Sequence, residues 1–148
     1  MTITCGAIIF RNNDGIIEYL LLRAYNNWDF SKGLPDSGDF DLVATAIREI
    51  AEETSLRNNL IFITNDHGEK LFYETEVYGK QKKIARFYLC QVPMNESQKV
   101  FLPISEELGR PEHDEFCWHG FNEAHKLLNK RLQKALDWAG KIINEKET

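Results

Sequence analysis

Glu49, Glu52 and Glu53 stand at i, i+3 and i+4 in a segment that otherwise reads as an amphipathic helix. At 3.6 residues per turn they fall on one side of the cylinder. Leu42, Val43, Ala46, Ile47, Ile50 and Thr54 recur at helical spacing and predict a buried stripe, with the glutamates along one of its edges. Such a helix has to lie on an apolar surface with its carboxylates where helix meets sheet, not on its solvated back. Asp39 or Asp41 is suited to cap it, since an acid fits the positive end of the helix dipole. Like charges at i and i+4 cost a helix roughly 0.2–0.5 kcal/mol per pair. A cation would turn that repulsion into binding, because hard divalent ions take oxygen ligands. The cluster therefore suggests a magnesium site, and magnesium most often assists chemistry at phosphates. On spacing alone, a solvated acidic face is the competing reading.

The 148 residues suit one domain, spanning residues 1–148, with apolar and charged fractions ordinary for a globular protein. A net charge of −5 counts against a broad electrostatic grip on extended nucleic acid, which needs a basic stripe. It leaves room for a small phosphate ligand held by a few cations and a metal. Cys5, Cys90 and Cys117 are odd in number, far apart and without a C-x-x-C pair. Reduced thiols in a cytoplasmic protein are expected rather than a disulfide framework or a zinc site. No basic n-region precedes a long apolar run, and no apolar stretch approaches membrane-spanning length, so neither a signal peptide nor a membrane span is expected.

Thr4 to Phe10 and Ile16 to Arg23 read as strands around the turn signal Asn12-Asn13-Asp14-Gly15, a hairpin. Trp28 to Asp39, with Gly33, Pro35 and Gly38, reads as a loop. Leu60 to Ile63, Lys70 to Val77, Lys83 to Val92 and Glu115 to His119 read as further strands, and Met94 to Gly109 as irregular. From Phe121 onward, Leu127, Leu128, Leu132, Ala135, Leu136, Ala139 and Ile143 keep a helical period. Strands on both sides of a central helix, followed by a terminal helix, predict an α/β (α+β) fold with a mixed sheet sandwiched between helices.

The segment from Gly33 to Leu56 resembles the Nudix box, G-x5-E-x7-R-E-U-x-E-E-x-G-U with U aliphatic. Arg48, Glu49, Ile50, Glu52, Glu53 and Leu56 stand in place. Outside the box the chain is similar to the asymmetrical diadenosine tetraphosphate hydrolase branch of that superfamily. The matching pieces are Cys5 to Phe10, Glu18 to Leu22, Trp28 shortly before Lys32-Gly33, and Glu112-His113 ahead of Trp118. The departures lie in the box itself. Gly33 and Arg48 are one step further apart than in the pattern. The position of its first glutamate is Phe40, with Asp39 the nearest acid, and its late glycine is Ser55. A longer loop with Asp39 standing in for the glutamate is one resolution. A Ser in place of a helix-ending Gly would cost stability if its φ is positive.

The resemblance implies a Nudix fold and Mg²⁺-dependent hydrolysis of dinucleoside polyphosphates, diadenosine tetraphosphate to ATP and AMP, with Mn²⁺ able to substitute. It implies Glu49, Glu52, Glu53 and the Gly33 carbonyl as metal ligands, and Arg48 as part of the catalytic box. Glu112, in an irregular stretch after Pro111, would be a distal metal ligand or the base that activates water; a surface glutamate is the bland alternative. One of the helix glutamates could instead be the base. His113 could polarise a phosphate oxygen or be structural. Trp28, Tyr73 and Tyr78 are candidates for stacking on adenine, against core packing. Lys32 and Lys83 are candidates for the phosphates, Lys83 beside Lys80 and Lys82, against a solvated basic turn. Two rival activities remain open: a pyrophosphohydrolase of RNA 5′ ends or nucleoside triphosphates, and a nucleotide-binding module whose box has decayed. The expected partner is a small nucleotide, with neither membrane nor extended nucleic acid, in a monomer or small homo-oligomer.

Overall fold

A computed structural model describes residues 2–77, 81–97 and 99–147. Tyr78 and Lys80, named above as a stacking and a basic candidate, lie outside these residues. In chain order the elements are β1 (Thr2–Asn13), β2 (Ile16–Ala24), β3 (Asn27–Asp29), β4 (Ser31–Gly33) and α1 (Leu42–Thr54). They continue with β5 (Ile61–Phe62), β6 (Phe72–Val77), β7 (Lys83–Gln91), α2 (Met94–Ser97), β8 (Ile104–Ser105) and β9 (Arg110–Pro111). β10 (Glu115–Gly120), α3 (Phe121–Leu127) and α4 (Lys130–Glu147) complete the described chain.

The main sheet runs β10-β2-β1-β7-β5, with β3 on β2, β4 on β1 and β6 on β7. β1 and β7 pair in parallel along their length, from Thr2 beside Lys83 to Phe10 beside Gln91, and the other pairings are antiparallel. The sheet is mixed, as predicted. β1 changes partner midway: Cys5–Ala7 face β4, and Phe10–Asn13 face β2.

Helices cover both faces, which is why β1, β2 and β7 read as almost unbroken apolar runs. Ile8, Phe10, Tyr19, Leu21, Phe87 and Leu89 join Leu132, Leu136 and Ile143 of α4 in one core. The alternate residues Ala7, Ile9, Leu20, Leu22 and Cys90 join Ile50 of α1 in a second. Two-residue periodicity thus assigns one strand to two cores. No helix among the described residues is long and apolar enough to cross a membrane.

The differences from the sequence expectations lie in short elements. Part of the expected loop from Trp28 to Asp39 pairs as β3 and β4. Their strand state is set by the backbone groups of β2 and β1 that they satisfy, and three residues are too few for a readable alternation. Of the expected Leu60–Ile63 strand, Ile61–Phe62 forms β5 and Ile63 N still donates to Leu89 O of β7 at 2.9 Å, while Met94–Ser97 is a helical turn. The terminal helical pattern is broken ahead of α4, where Asn129 Oδ1 accepts from Leu132 N at 2.9 Å and starts a new helix. Ile47, expected in the buried stripe of α1, is instead exposed.

Local chemistry fixes both ends of α1. Asp41 is the N-cap, accepting from Ala44 N at 2.8 Å. Ser55 ends the helix at φ 68°, with its N–H on Ala51 O. The loop from β4 into α1 is tied down by Asp39. Its carboxylate takes Arg48 Nε and Nη2, each at 3.0 Å, along with Asp36 N at 2.9 Å and Thr45 Oγ1 at 2.8 Å. Arg48 also donates to Leu34 O at 2.8 Å. Phe40, in the place of the pattern's glutamate, is 95% exposed. The extra loop residue is thus accommodated by presenting Asp39 to the arginine.

Two outcomes follow for stability. At a left-handed φ, removing the Ser55 hydroxyl alone and removing the whole side chain have different consequences. Ser55→Gly will be more stable than Ser55→Ala by about 1 kcal/mol, a melting-temperature difference of about 2–4 °C in calorimetry. The Arg48 hydrogen bonds hold the Asp39 carboxyl well below the usual range. A depressed carboxylate stabilises the fold at pH values above its unfolded value of about 3.9 and loses that contribution as pH falls through the folded value. In urea titrations, Asp39→Asn will be less stable than wild type at pH 7, and the gap will narrow at pH 3. A gap that is constant or wider at pH 3 is the contrary result.

Candidate metal centre on the first helix

Capped at Asp41 and packed through Ile50, α1 turns Glu49 and Glu53 inward and leaves Glu52 outside. Glu49 is 8% and Glu53 4% exposed. Glu49 Oε1 takes Arg48 Nη1 at 3.0 Å, and Glu52 meets the same nitrogen at 3.3 Å from the solvent side. The Glu49 carboxyl lies against Gly33, where any side chain would collide with it. A second close approach holds β4 in place: a side chain on Gly6 of β1 would run into Ser31 O and Lys32.

Glu53 is the deepest of the acids. Its Oε1 accepts from Ser31 Oγ at 2.8 Å and from Lys32 N at 3.0 Å, both on β4. Its Oε2 lies 3.3 Å from His113 Nδ1, but the two are not aligned as a hydrogen bond, and this buried ring nitrogen has no hydrogen-bond partner among the described residues. Oxygen and nitrogen donors of Glu53, Glu112 and His113 come within 4.8 Å of one another. Burial pushes the Glu53 carboxyl well up, Glu112 and Glu49 adding to the shift and Ser31 and Lys32 opposing it. Burial also raises Glu49, against the Arg48 charge, and lowers His113.

These residues fit a divalent cation. Two carboxylates supply hard oxygen, an imidazole nitrogen without a hydrogen-bond partner among the described residues faces them, and the nearby cations Arg48 and Lys32 are already paired with acids. Carboxylates whose pKa burial raises are stabilised as anions by a metal. Glu53, Glu112 and His113 are thus brought together. Glu49, one turn before Glu53 on α1, lies against Gly33 of β4, and Arg48 and Glu52 form the outer rim.

The expected substrate residues are more dispersed. Trp28 is half-buried on β3, packed against the core, with the Arg23 guanidinium 5.9 Å from its ring. Lys32 pairs with Asp29. Tyr73 packs on Trp138 with ring centroids 5.7 Å apart. Lys83 is exposed at the start of β7, beside Thr2 of β1, whereas Gly33 is beside Cys5 on the same strand. Sequence reasoning missed Ser31. No local pattern marks it, and its role depends on β4 pairing with β1.

The NUDIX domain profile matches residues 2–139. The asymmetrical bis(5′-nucleosyl)-tetraphosphatase of Caenorhabditis elegans is 33% identical over 127 residues, 84% of this chain and 83% of that protein. The crystal structure of a C. elegans Ap4A hydrolase binary complex superposes with a TM-score of 0.80 at 22% identity, covering 98% of this chain and 99% of that one. The NUDIX domain of Shewanella oneidensis NrtR, complexed with ADP ribose, has the same fold, with a TM-score of 0.70 at 15% identity over 100% of this chain and 89% of its own. With the profile spanning nearly the whole chain and a relative above 30% identity, this chain belongs to the Nudix family and is a Nudix hydrolase.

Proposed function

We propose that this hydrolase cleaves dinucleoside polyphosphates, diadenosine tetraphosphate to ATP and AMP, with Mg²⁺ as the cofactor and Mn²⁺ able to replace it. The convergence of the buried Glu53 and His113 with the exposed Glu112 is the observation that carries the reading. The relative's name points to the substrate class. Glu53 and His113 would hold the cation, with Glu49 and Gly33 adjoining and Glu112 left to act as the base. When bound, it would neutralise the polyphosphate chain and lower the pKa of a water.

The protein groups divide the remaining work. Ser31 Oγ and Lys32 N fix one oxygen of Glu53 and leave the other turned toward His113. Arg48 holds Glu49 and the loop at Leu34 in one frame. Glu112 is the solvent-open carboxylate of the group, and we assign it the proton of the attacking water. The water oxygen bonds to phosphorus, a P–O–P bond breaks, and the leaving phosphate oxygen carries away the electron pair. Positioning and charge neutralisation supply most of the rate in such transfers. Three unpaired thiols accord with a cytoplasmic setting.

The test is chromatography of products after incubation with Mg²⁺ and, separately, diadenosine tetraphosphate, nucleoside triphosphates and 5′-triphosphate RNA. ATP and AMP from the first substrate are expected. Two ADP, or turnover of the other substrates alone, would be the contrary result. Glu53→Gln will lower kcat by about 10³-fold, in the range of lost acid–base and metal-site groups. Its melting temperature without metal will match or exceed that of wild type, because the substitution removes a buried charge. It will also lack the rise in melting temperature that Mn²⁺ gives wild type. Near-normal turnover in this variant would remove Glu53 from the site.

A further inference from the structure

We infer that Arg23 is the positioning residue that holds the Glu112–His113 loop over Glu53; the inference rests on reading that cluster as a divalent-cation site. Arg23 lies near the end of β2 and grips the loop and the adjoining start of β10 at three points. Its carbonyl accepts from Asp114 N at 2.9 Å. Its Nε donates to Asp114 Oδ1 at 2.9 Å, and its Nη2 lies 3.1 Å from Glu115 Oε2. The same guanidinium sits 5.9 Å from the Trp28 ring on β3, so one side chain joins three neighbouring strands to the loop.

The loop needs such an attachment. Glu106, Glu107, Glu112, Asp114 and Glu115 crowd it with negative charge, against Arg110 alone within the stretch. Its residues from Glu106 to Glu115 are exposed apart from Pro111 and His113, so little packing holds it. Apart from the approach of His113 to Glu53, the other described side-chain tether is Arg110 Nη2 to Tyr25 Oη, at 3.3 Å and exposed. Without Arg23, repulsion among the acids would move Glu112 and His113 away from Glu53. An exposed pair of this kind adds little to global stability. Its effect falls on the geometry of the residues next to it, as outer-shell partners of metal ligands do.

The test compares wild type, Arg23→Ala, Arg23→Lys and Asp114→Asn by Mn²⁺ binding without nucleotide, followed by electron paramagnetic resonance, alongside melting temperature and turnover. Arg23→Ala will bind Mn²⁺ about tenfold more weakly, with a melting temperature lowered by less than about 3 °C. Its kcat will fall more than its KM rises. Arg23→Lys will recover most of the Mn²⁺ affinity, and Asp114→Asn will show a smaller loss that does not add to that of Arg23→Ala. Unchanged Mn²⁺ affinity in folded Arg23→Ala overturns the inference, as does a loss that Arg23→Lys fails to reduce. Wild-type protein that binds Mn²⁺ but leaves diadenosine tetraphosphate intact would refute the proposed substrate while leaving the Arg23 result to stand on its own.

Discussion

Burying a carboxylate costs several kcal/mol unless its charge is met, and α1 buries two on adjacent turns. Much of the surrounding architecture answers that cost. Glu49 has Arg48 beside it, whereas the partners of Glu53 are dipoles, the Ser31 hydroxyl and the Lys32 amide. To deliver those dipoles, β4 must run close to β1, and Gly6 leaves the space for it. To admit Glu49, Gly33 must carry no side chain. The short strand, the two glycines and the helix thus form one unit whose geometry is set by two negative charges. Two hydrogen-bond dipoles compensate a full charge only partly, and the upward shift of Glu53 records the shortfall.

Arg48 gives this unit its rigidity. Its guanidinium reaches Asp39, Leu34 O, Glu49 and Glu52, so one planar group connects the loop before the helix to both its inward and outward faces. A lysine has the charge but not the fork, and could not span these directions. The network also explains how the chain tolerates a box that departs from the pattern. An arginine fork needs a carboxylate at a place in space rather than at a place in the sequence. With one more loop residue, Asp39 arrives there and Phe40 is left in solvent.

The long elements were legible because each carries its own period. β1, β2 and β7 show the continuous apolar runs of strands covered on both faces, and α1 and α4 show helical stripes. The box glutamates were legible as a cluster, but their division of labour was not. Whether a residue at helical spacing is inside or outside depends on where the partner surface ends, and that boundary sends Glu53 inward and Glu52 to the rim. Ser31 and Arg23 carried no signal because their roles arise from strand register. Asp114 meets Arg23 because β10 pairs with β2, and Ser31 meets Glu53 because β4 pairs with β1. The opposite limitation applies to Trp28 and Tyr73. Their aromatic character was plain in the sequence, but both pack against the helical core, Tyr73 on Trp138.

The disposition of cations bears on how a polyanion could be received. Lys32 is turned to Asp29, Arg48 to Asp39 and the box glutamates, Arg23 to Asp114 and Glu115, and Arg86 to Glu74. The basic groups around the site are thus already engaged with acids of the same chain. Lys83 makes no ion pair among the described residues, and it stands about 10 Å along β1 from the Gly33 register. On a chain of net charge −5, a polyphosphate would meet repulsion at the very groups proposed to cleave it. Under the proposed function, bound divalent cations are therefore a condition for substrate association as well as for bond cleavage. The carboxylates create that requirement by leaving the site negative, and by the same charge they favour the ions that satisfy it.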